Sequence, residues 1–398
     1  MGAVLLSPVY ILLNIYLAVR IQHWFAVLHP IFDSYWFTGL FSILYAFAAL
    51  TPLAAAFYHG KLKAWTKRIS NYWLGILMYL LLCVLFIDLA RILVRLLQHR
   101  DVFQPSDAFE YRVTIGSGIA AAVALSLYGI RHASRIKITR YEVTIPKSCP
   151  IPDLKIALAA DLHLGYNTKL LHIQKIRNAI SSIHPDLVVY AGDIFDNEFN
   201  AVPKPKKAAA LFASIKTTYG SFACWGNHDI EEVILAGFTF DSQERAVSCD
   251  PRMVQFLKKA DIRLLEDETV LIQNAFYLSG RLDASCKEKS GTTRLTPAEL
   301  LLGLDRSKPL IVMDHQPSSL PELSEAGADL VLSGHTHDGQ IFPGNLTTRI
   351  GWLNSYGKLV LGSMTSIVTS GAGIWGPAMR VGTSSEIAEI VVKFNPPR

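Results

Sequence analysis

Two histidines set one residue apart, His335 and His337, close the stretch DLVLSGHTHDGQ (329–340), where an apolar run that reads as a buried strand stops at Ser333-Gly334. A core strand ordinarily ends in a turn of Gly, Asn or Asp, and imidazoles add nothing to such a turn. The pattern recurs along the chain. LKIALAA (154–160) is followed by Asp161 and His163, LVVYAG (187–192) by Asp193 and Asp196, GSFACWG (220–226) by Asn227, His228 and Asp229, and PLIVMD (309–314) by His315. Five strand ends that each deliver an Asp, Asn or His are expected to converge, as loops along one edge of a sheet do.

Carboxylates, imidazoles and an amide carbonyl with no thiolate suit borderline transition metals rather than calcium. One carboxylate can bridge two ions, and two ions about 3.5–4 Å apart clamp the attacking and leaving oxygens of a phosphoryl displacement. His335 and His337, read as alternate positions on an extended stretch, would then each serve a different ion, with Gly334 letting the backbone approach.

The elements that must position these residues fall in two halves. Of 398 residues, 51% are hydrophobic, too many for an ordinary soluble chain of this size. The excess lies in the first 130 residues, where stretches at about 3–19, 36–58, 73–97 and 112–130 approach the roughly 20 apolar residues that cross a bilayer. The first has no cationic start and no small-residue cleavage site, so it is expected to stay as a helix. Cationic residues follow the second stretch (Lys61, Lys63, Lys67, Arg68) and the fourth (Arg131, Arg135, Lys137, Arg140), which predicts cytoplasmic termini and a cytoplasmic second half. Within the third stretch, Asp88 and Arg91 are expected to pair along one helix near the interface. The division expected is a membrane domain over 1–140 and a catalytic domain over 141–398.

The second half alternates β-rich runs, including DLVLSG (329–334) and IAEIVVKF (387–394), with helical ones at about 168–182 and 204–217, the mark of an α/β fold. The polar stretch CKEKSGTTRLTPAE (286–299) reads as a loop. Five cysteines without paired spacing argue against a disulfide framework or a thiolate zinc site. No basic stripe with interleaved aromatics appears, so nucleic acid is not an expected partner, and the net charge of +5 points to a membrane surface.

The ordered set Asp-x-His, Gly-Asp-x-x-Asp, Gly-Asn-His-Asp, a later His and Gly-His-x-His resembles that of the calcineurin-like metallophosphoesterases, over about residues 154–340. SGAGIWGPAMRVG (370–382) is similar to the closing loop of a bacterial membrane-associated subgroup. The resemblance implies two β-sheets flanked by helices and two divalent ions, with Mn the leading candidate and Fe, Zn or Co the alternatives. It implies Asp161, His163 and His337 on one ion, Asn227, His315 and His335 on the other, and Asp193 bridging. It also implies a metal-activated hydroxide as nucleophile, with His228, oriented by Asp229, acting on the phosphoryl group or leaving oxygen. Asp338 stands where relatives often carry Gly, either repelling an anionic substrate or hydrogen-bonding a ligand histidine.

Asp196 reads as a partner of a ligand or as a turn cap. Arg281, Asp283 and Arg380 are candidates for touching the substrate, with solvated ion pairs as the ordinary reading; His172 and His184 read as surface residues. The functional expectation is a membrane-anchored phosphodiesterase or pyrophosphatase on a lipid-linked or amphipathic substrate, since four helices exceed what a tether needs. The alternatives are a phosphomonoesterase on soluble nucleotides or phosphoproteins, and a non-enzymatic membrane sensor or scaffold with a structural metal site.

Overall fold

The structure is a computed structural model and describes residues 2–55, 58, 60–101, 107–230, 234–235, 238–239, 249–284 and 293–395. The chain divides into two compact units, one built on residues 1–131 together with 234–240 and 376–379, the other on the remainder.

Among the described residues the first unit holds four α-helices, α1 (Gly2–Leu28), α2 (Tyr35–Ala54), α3 (Gly60–Leu97) and α4 (Ala108–Ala133). All four are long and apolar enough to cross a membrane. Large apolar side chains such as Leu12, Ile43 and Phe86 point outward, as they do where the solvent is hydrocarbon. The third helix begins at Gly60 rather than near 73 and runs 38 residues, about 57 Å at 1.5 Å per residue. Nothing between Lys61 and Arg68 breaks a helix, because Lys and Arg are good helix formers; the cationic cluster therefore lies on the helix rather than in a loop.

The expected Asp88–Arg91 pair along one helix is present, and Asp88 has further partners on another helix. Its carboxylate accepts from Arg20 and from Tyr16 Oη at 2.6 Å, both on α1, while Arg91 stands 3.9 Å away. Two helices meet over that acid, a contact that spacing within one helix cannot reveal. The short strands β5 (Ile234–Leu235) and β6 (Phe238–Thr239) pair antiparallel.

The second unit stacks two six-stranded sheets. The first runs β1 (Ile136–Ile145), β14 (Ser385–Phe394), β2 (Asp153–Ala159), β3 (Leu187–Ala191), β4 (Ser221–Cys224) and β7 (Ile262–Leu264). The second runs β12 (Gly357–Leu361), β13 (Met364–Val368), β11 (Leu330–Ser333), β10 (Leu310–Met313), β9 (Phe276–Gly280) and β8 (Glu268–Ile272). Strands β2, β3, β4 and β7 are mutually parallel, as are β13, β11, β10 and β9, so each group aims its carboxyl ends the same way. β1 starts at Ile136, so the sheet takes up residues that the expected boundary at 140 left to the membrane half.

Period-two alternation sorts the side chains. Leu154, Ile156 and Leu158 of β2 enter the core between the sheets with Phe276, Leu278, Ile311, Met313, Leu330 and Leu332. Ala157 and Ala159 face the helices instead, meeting α5 (Leu170–Ile183) and α6 (Pro205–Ala213) with α7 (Pro251–Lys259) nearby. On α5 the buried Ile173, Ile176, Ile180 and Ile183 recur at helical spacing, each contributing roughly 1.5–3 kcal/mol by its burial. The outer face of the second sheet is covered by α8 (Pro297–Leu300) and α9 (Leu320–Glu325). The α8 helix lies inside the expected polar loop: Thr296 and Glu299 form a reciprocal capping box, a pattern readable as T-x-x-E. Residues 286–292 of that loop lie outside the described residues.

Candidate metal centre

The residues after β2, β3, β4, β10 and β11 come together at the carboxyl ends of their strands, and backbone hydrogen bonds lace the loops to one another. Asp161 N–H donates to Gly192 O (3.0 Å), His163 N–H to Asp193 O (3.1 Å) and Gly334 N–H to His315 O (3.0 Å). The closing loop joins in, with Ala372 N–H on Ala160 O and Gly373 N–H on Asp161 O. The backbone is forced to reach this arrangement: Asp161, His163, Asp193, His335 and His337 all have positive φ, between 42° and 71°. Non-glycine residues seldom adopt that region, and they cluster at functional sites. His335 and His337 are thus not on an extended stretch, and a turn of 3-10 helix over His337–Gly339 swings them apart. Gly334 is required there, since a Cβ would collide with the Asp161 carboxylate.

Two donor groups result. One ligand atom each of Asp161, His163 and His337 lie within 4.8 Å of one another, and the same holds for Asp193, His315 and His335. His163 Nε2 and His337 Nε2 are 3.0 Å apart, with Asp161 Oδ1 3.4 Å from the latter. Asn227 Oδ1 stands 2.8 Å from His335 Nδ1 and 3.2 Å from His315 Nε2. Asp193 Oδ2 lies between the groups, 3.2 Å from His315 Nε2 and 3.8 Å from His163 Nε2. His315 Nδ1 faces Ala191 O at 2.8 Å, which fixes the tautomer and leaves Nε2 for a ligand role.

Electrostatics agree with a cation's place. Burial first, then His315, hold His335 down at about 3, and burial and the His163 charge hold His337 well below its ordinary value. Both are neutral imidazoles with lone pairs to offer. Burial also pushes His315 down, but the Asp193 carboxylate overrides it and holds the ring well above its ordinary value. In the protein alone, a proton on His315 supplies positive charge that the buried Asp193 carboxylate demands. An oxygen and imidazole set without thiolate, around carboxylates short of counter-charge, fits divalent transition ions.

His228 sits beside both groups without joining either. Its Nδ1 meets Asn197 Oδ1 at 2.7 Å, and its backbone N–H donates to Asp193 Oδ1 at 2.7 Å. Asp229 does not orient this ring. Its carboxylate accepts from Phe195 N and Gly226 N, each at 2.8 Å, and so holds the loops rather than the imidazole. Asn197 is the residue that sequence reasoning missed; it is held by its own Nδ2 donating to Ile230 O, and its one signal was adjacency to Asp196.

The remaining expectations divide. Asp196 Oδ1 lies 3.3 Å from His163 Nδ1, a partner of a ligand rather than a turn cap. Arg281 is buried against Asp314 (2.6 Å), which Arg294 also reaches (2.5 Å), and Asp283 is buried and takes Gln316 Nε2 at 3.0 Å. These are interior ion pairs and hydrogen bonds, neither solvated nor open to a substrate, because Arg281, Asp283 and Asp314 are all buried. Arg380 is fully buried. Its guanidinium donates to the carbonyls of Ser370 (2.7 Å), Gly373 (2.9 Å) and Ser384 (3.1 Å), beside His337 Nδ1 at 3.3 Å. It braces the closing loop against His337. Asp338 is buried with one carboxylate oxygen unpartnered, and among the described residues its side chain hydrogen-bonds no histidine. His172 is half-buried, its Nε2 2.9 Å from Ala372 O, so it supports the closing loop instead of facing water; His184 is exposed at the end of α5.

Residues 154–339 match the calcineurin-like phosphoesterase family. The chain carries a calcineurin-like metallophosphoesterase domain, in a two-sheet α/β architecture flanked by helices. It is similar to an uncharacterized metallophosphoesterase of Campylobacter jejuni, 30% identical over 244 residues, 61% of this chain and 59% of that protein. The chain thus spans less than two thirds of that relative's length. It is also similar to a Danio rerio transmembrane protein with metallophosphoesterase domain, 28% identical over 83% of this chain and 74% of that one, a match wider than the phosphoesterase domain alone. A Chlamydia trachomatis UDP-2,3-diacylglucosamine pyrophosphatase, LpxG, is 23% identical over 60% of this chain and 82% of that protein.

Proposed function

We propose that this chain is a membrane-anchored hydrolase of phosphodiester or pyrophosphate bonds. Asp161, His163 and His337 would hold one divalent ion, Asn227, His315 and His335 a second, with Asp193 between them. The observation that carries the reading is the pair of donor groups flanking one buried carboxylate, with His228 adjacent and uncommitted. Two divalent ions, when bound, supply Lewis acidity toward a phosphoryl oxygen and lower the pKa of a coordinated water.

The protein's own residues supply the rest. Asn197 Oδ1 accepts from the His228 Nδ1–H and so turns Nε2 toward the centre, where it would take up a proton as a base and, in the protonated ring, donate it to the phosphoryl group or leaving oxygen. Asp229 keeps the loops after β3 and β4 together, and Arg380 keeps His337 from rotating away. Trp375 packs tilted against His228 and Trp352 edge-on against His335, with ring centroids 5.8 and 5.1 Å apart, so two half-buried aromatic rings border the centre. A lipid-linked or amphipathic substrate is supported by four apolar helices where one would anchor, and by the likeness to a pyrophosphatase of that name. The Lys and Arg distribution favours a cytoplasmic catalytic domain.

The test is hydrolysis by the full-length protein, with added Mn, of bis-nitrophenyl phosphate and nitrophenyl phosphate side by side, with Asp193→Asn as control. Diester cleavage lost in the variant is the expected result. Cleavage of the monoester alone would replace the reading with a phosphomonoesterase, and no bound metal and no cleavage of either would sink it.

A further inference from the structure

The ligand-bearing turn His337–Gly339 leads directly into α10 (Gly344–Gly351), a helix that buries none of its residues. Leu346 and Ile350 lie one turn apart at 49% and 88% exposure, Leu353 follows at 60%, and Phe342 precedes them at 48%. Among the described residues after Arg135, nine large apolar side chains are exposed, and these four fall within twelve positions. The other five are scattered singly, as surface apolar residues ordinarily are.

The face is bordered by Trp352, half-buried, and by the exposed Arg349. An apolar stripe on a short helix with Trp and Arg at its margin is the composition of segments that lie in a lipid interface. The helix is also fixed to the site. Gly339 and Gly344 approach so closely that a Cβ on Gly339 would strike the Gly344 backbone, and Trp352 touches the His335 ring.

We infer that the face formed by Phe342, Leu346, Ile350 and Leu353 enters the surface of a lipid bilayer and delivers a membrane-resident substrate to the metal centre. A bilayer is the occupant because the same chain carries four helices able to cross one. Only Ser134 and Arg135 separate the last of these from β1 along the chain. The inference rests on the membrane-anchored reading above and names the surface through which the substrate arrives.

The experiment places a benzophenone photo-crosslinker at position 350 of the full-length protein, reconstituted in phosphatidylethanolamine–phosphatidylglycerol vesicles, with position 302 as an exposed apolar control on the same domain. Phospholipid adducts at 350 exceeding those at 302 by roughly tenfold are expected for an inserted side chain. Adducts to a second copy, or to another segment of the same chain, would show that protein covers the face, and equal lipid labelling at both positions would show that it faces water; either overturns the inference. The triple change Leu346→Ser, Ile350→Ser, Leu353→Ser should leave hydrolysis of soluble bis-nitrophenyl phosphate in detergent within about twofold, since it touches no ligand. Failure of wild-type hydrolysis would count against the proposed activity, whereas the lipid adducts report on the surface alone.

Discussion

Two clusters of sequestered charge can be set side by side. On the helices, Asp88 is met by Arg20, Tyr16 and, at longer range, Arg91. In the catalytic domain, Asp161 and Asp193 are met by imidazoles and backbone N–H groups, and no lysine or arginine hydrogen-bonds either among the described residues. The first cluster balances its charge with its own side chains and so holds helices together. The second draws its counter-charge in the protein alone from a proton on His315, and sets the neutral imidazoles of His335 and His337 beside the same carboxylates, a donor set that suits a cation. Burial of an acid is common to both; what differs is the partner, arginine and tyrosine in the first and imidazoles able to exchange a proton for a metal ion in the second.

The sharpest way to break this contrast is Asp193→Asn, which should remove roughly three orders of magnitude or more of diester hydrolysis by taking away the carboxylate between the ions. Metal analysis of the same variant should show loss of bound ion, and full occupancy would refute the bridging role. His228→Ala should cost about 10²–10⁴-fold in kcat while retaining both metals, which separates chemistry from ligation. A drop in metal content would move His228 into the ligand set.

Asn197→Ala should lower kcat by roughly tenfold through loss of ring orientation, with KM and metal content little changed. A role confined to stability would instead lower the thermal midpoint and leave kcat alone.

Metal affinity should rise with pH. His315 is held above its ordinary value in the protein alone, so below that folded pKa an ion must displace a proton, and Kd for Mn should worsen by about tenfold per pH unit lost there. A pH-independent Kd from about pH 5 to 8 would remove His315 from the site.

The smallest expected effect on activity belongs to the other cluster. Asp88→Asn should destabilise the helices by about 1.5–3 kcal/mol through weakening of a charged hydrogen bond, and leave hydrolysis and metal content of the folded protein unchanged. Lost activity at full stability would make Asp88 more than architecture.

How far the site was legible follows from what each residue needs. The clustered Asp, Asn and His side chains were readable because each stands at the end of an apolar run, and a strand's end is a local property. Asn197 escaped because its partner, His228, is 31 positions away. Asp229 invited an orienting role by sitting next to His228, yet its carboxylate turns to Phe195 and Gly226. Adjacency along a chain says little about where a side chain points once the backbone turns. Arg281 and Arg380 read as solvated or substrate-facing because arginine usually is; their interior places depend on carbonyls and an acid supplied by other strands.

By itself, the sequence determined the four apolar helices, the alternation of strands and helices, and the identity and order of the Asp, Asn and His side chains that gather at the candidate metal centre. All are set by residue types within one element, where hydropathy and period act locally. Only the tertiary structure decided which donors share a group, that Asn197 rather than Asp229 holds His228, that Asp88 joins two helices, and that the apolar face of α10 adjoins the metal centre. Those outcomes depend on contacts between residues tens to hundreds of positions apart, which no local period encodes and only the packing of two sheets and their loops brings within a few ångströms.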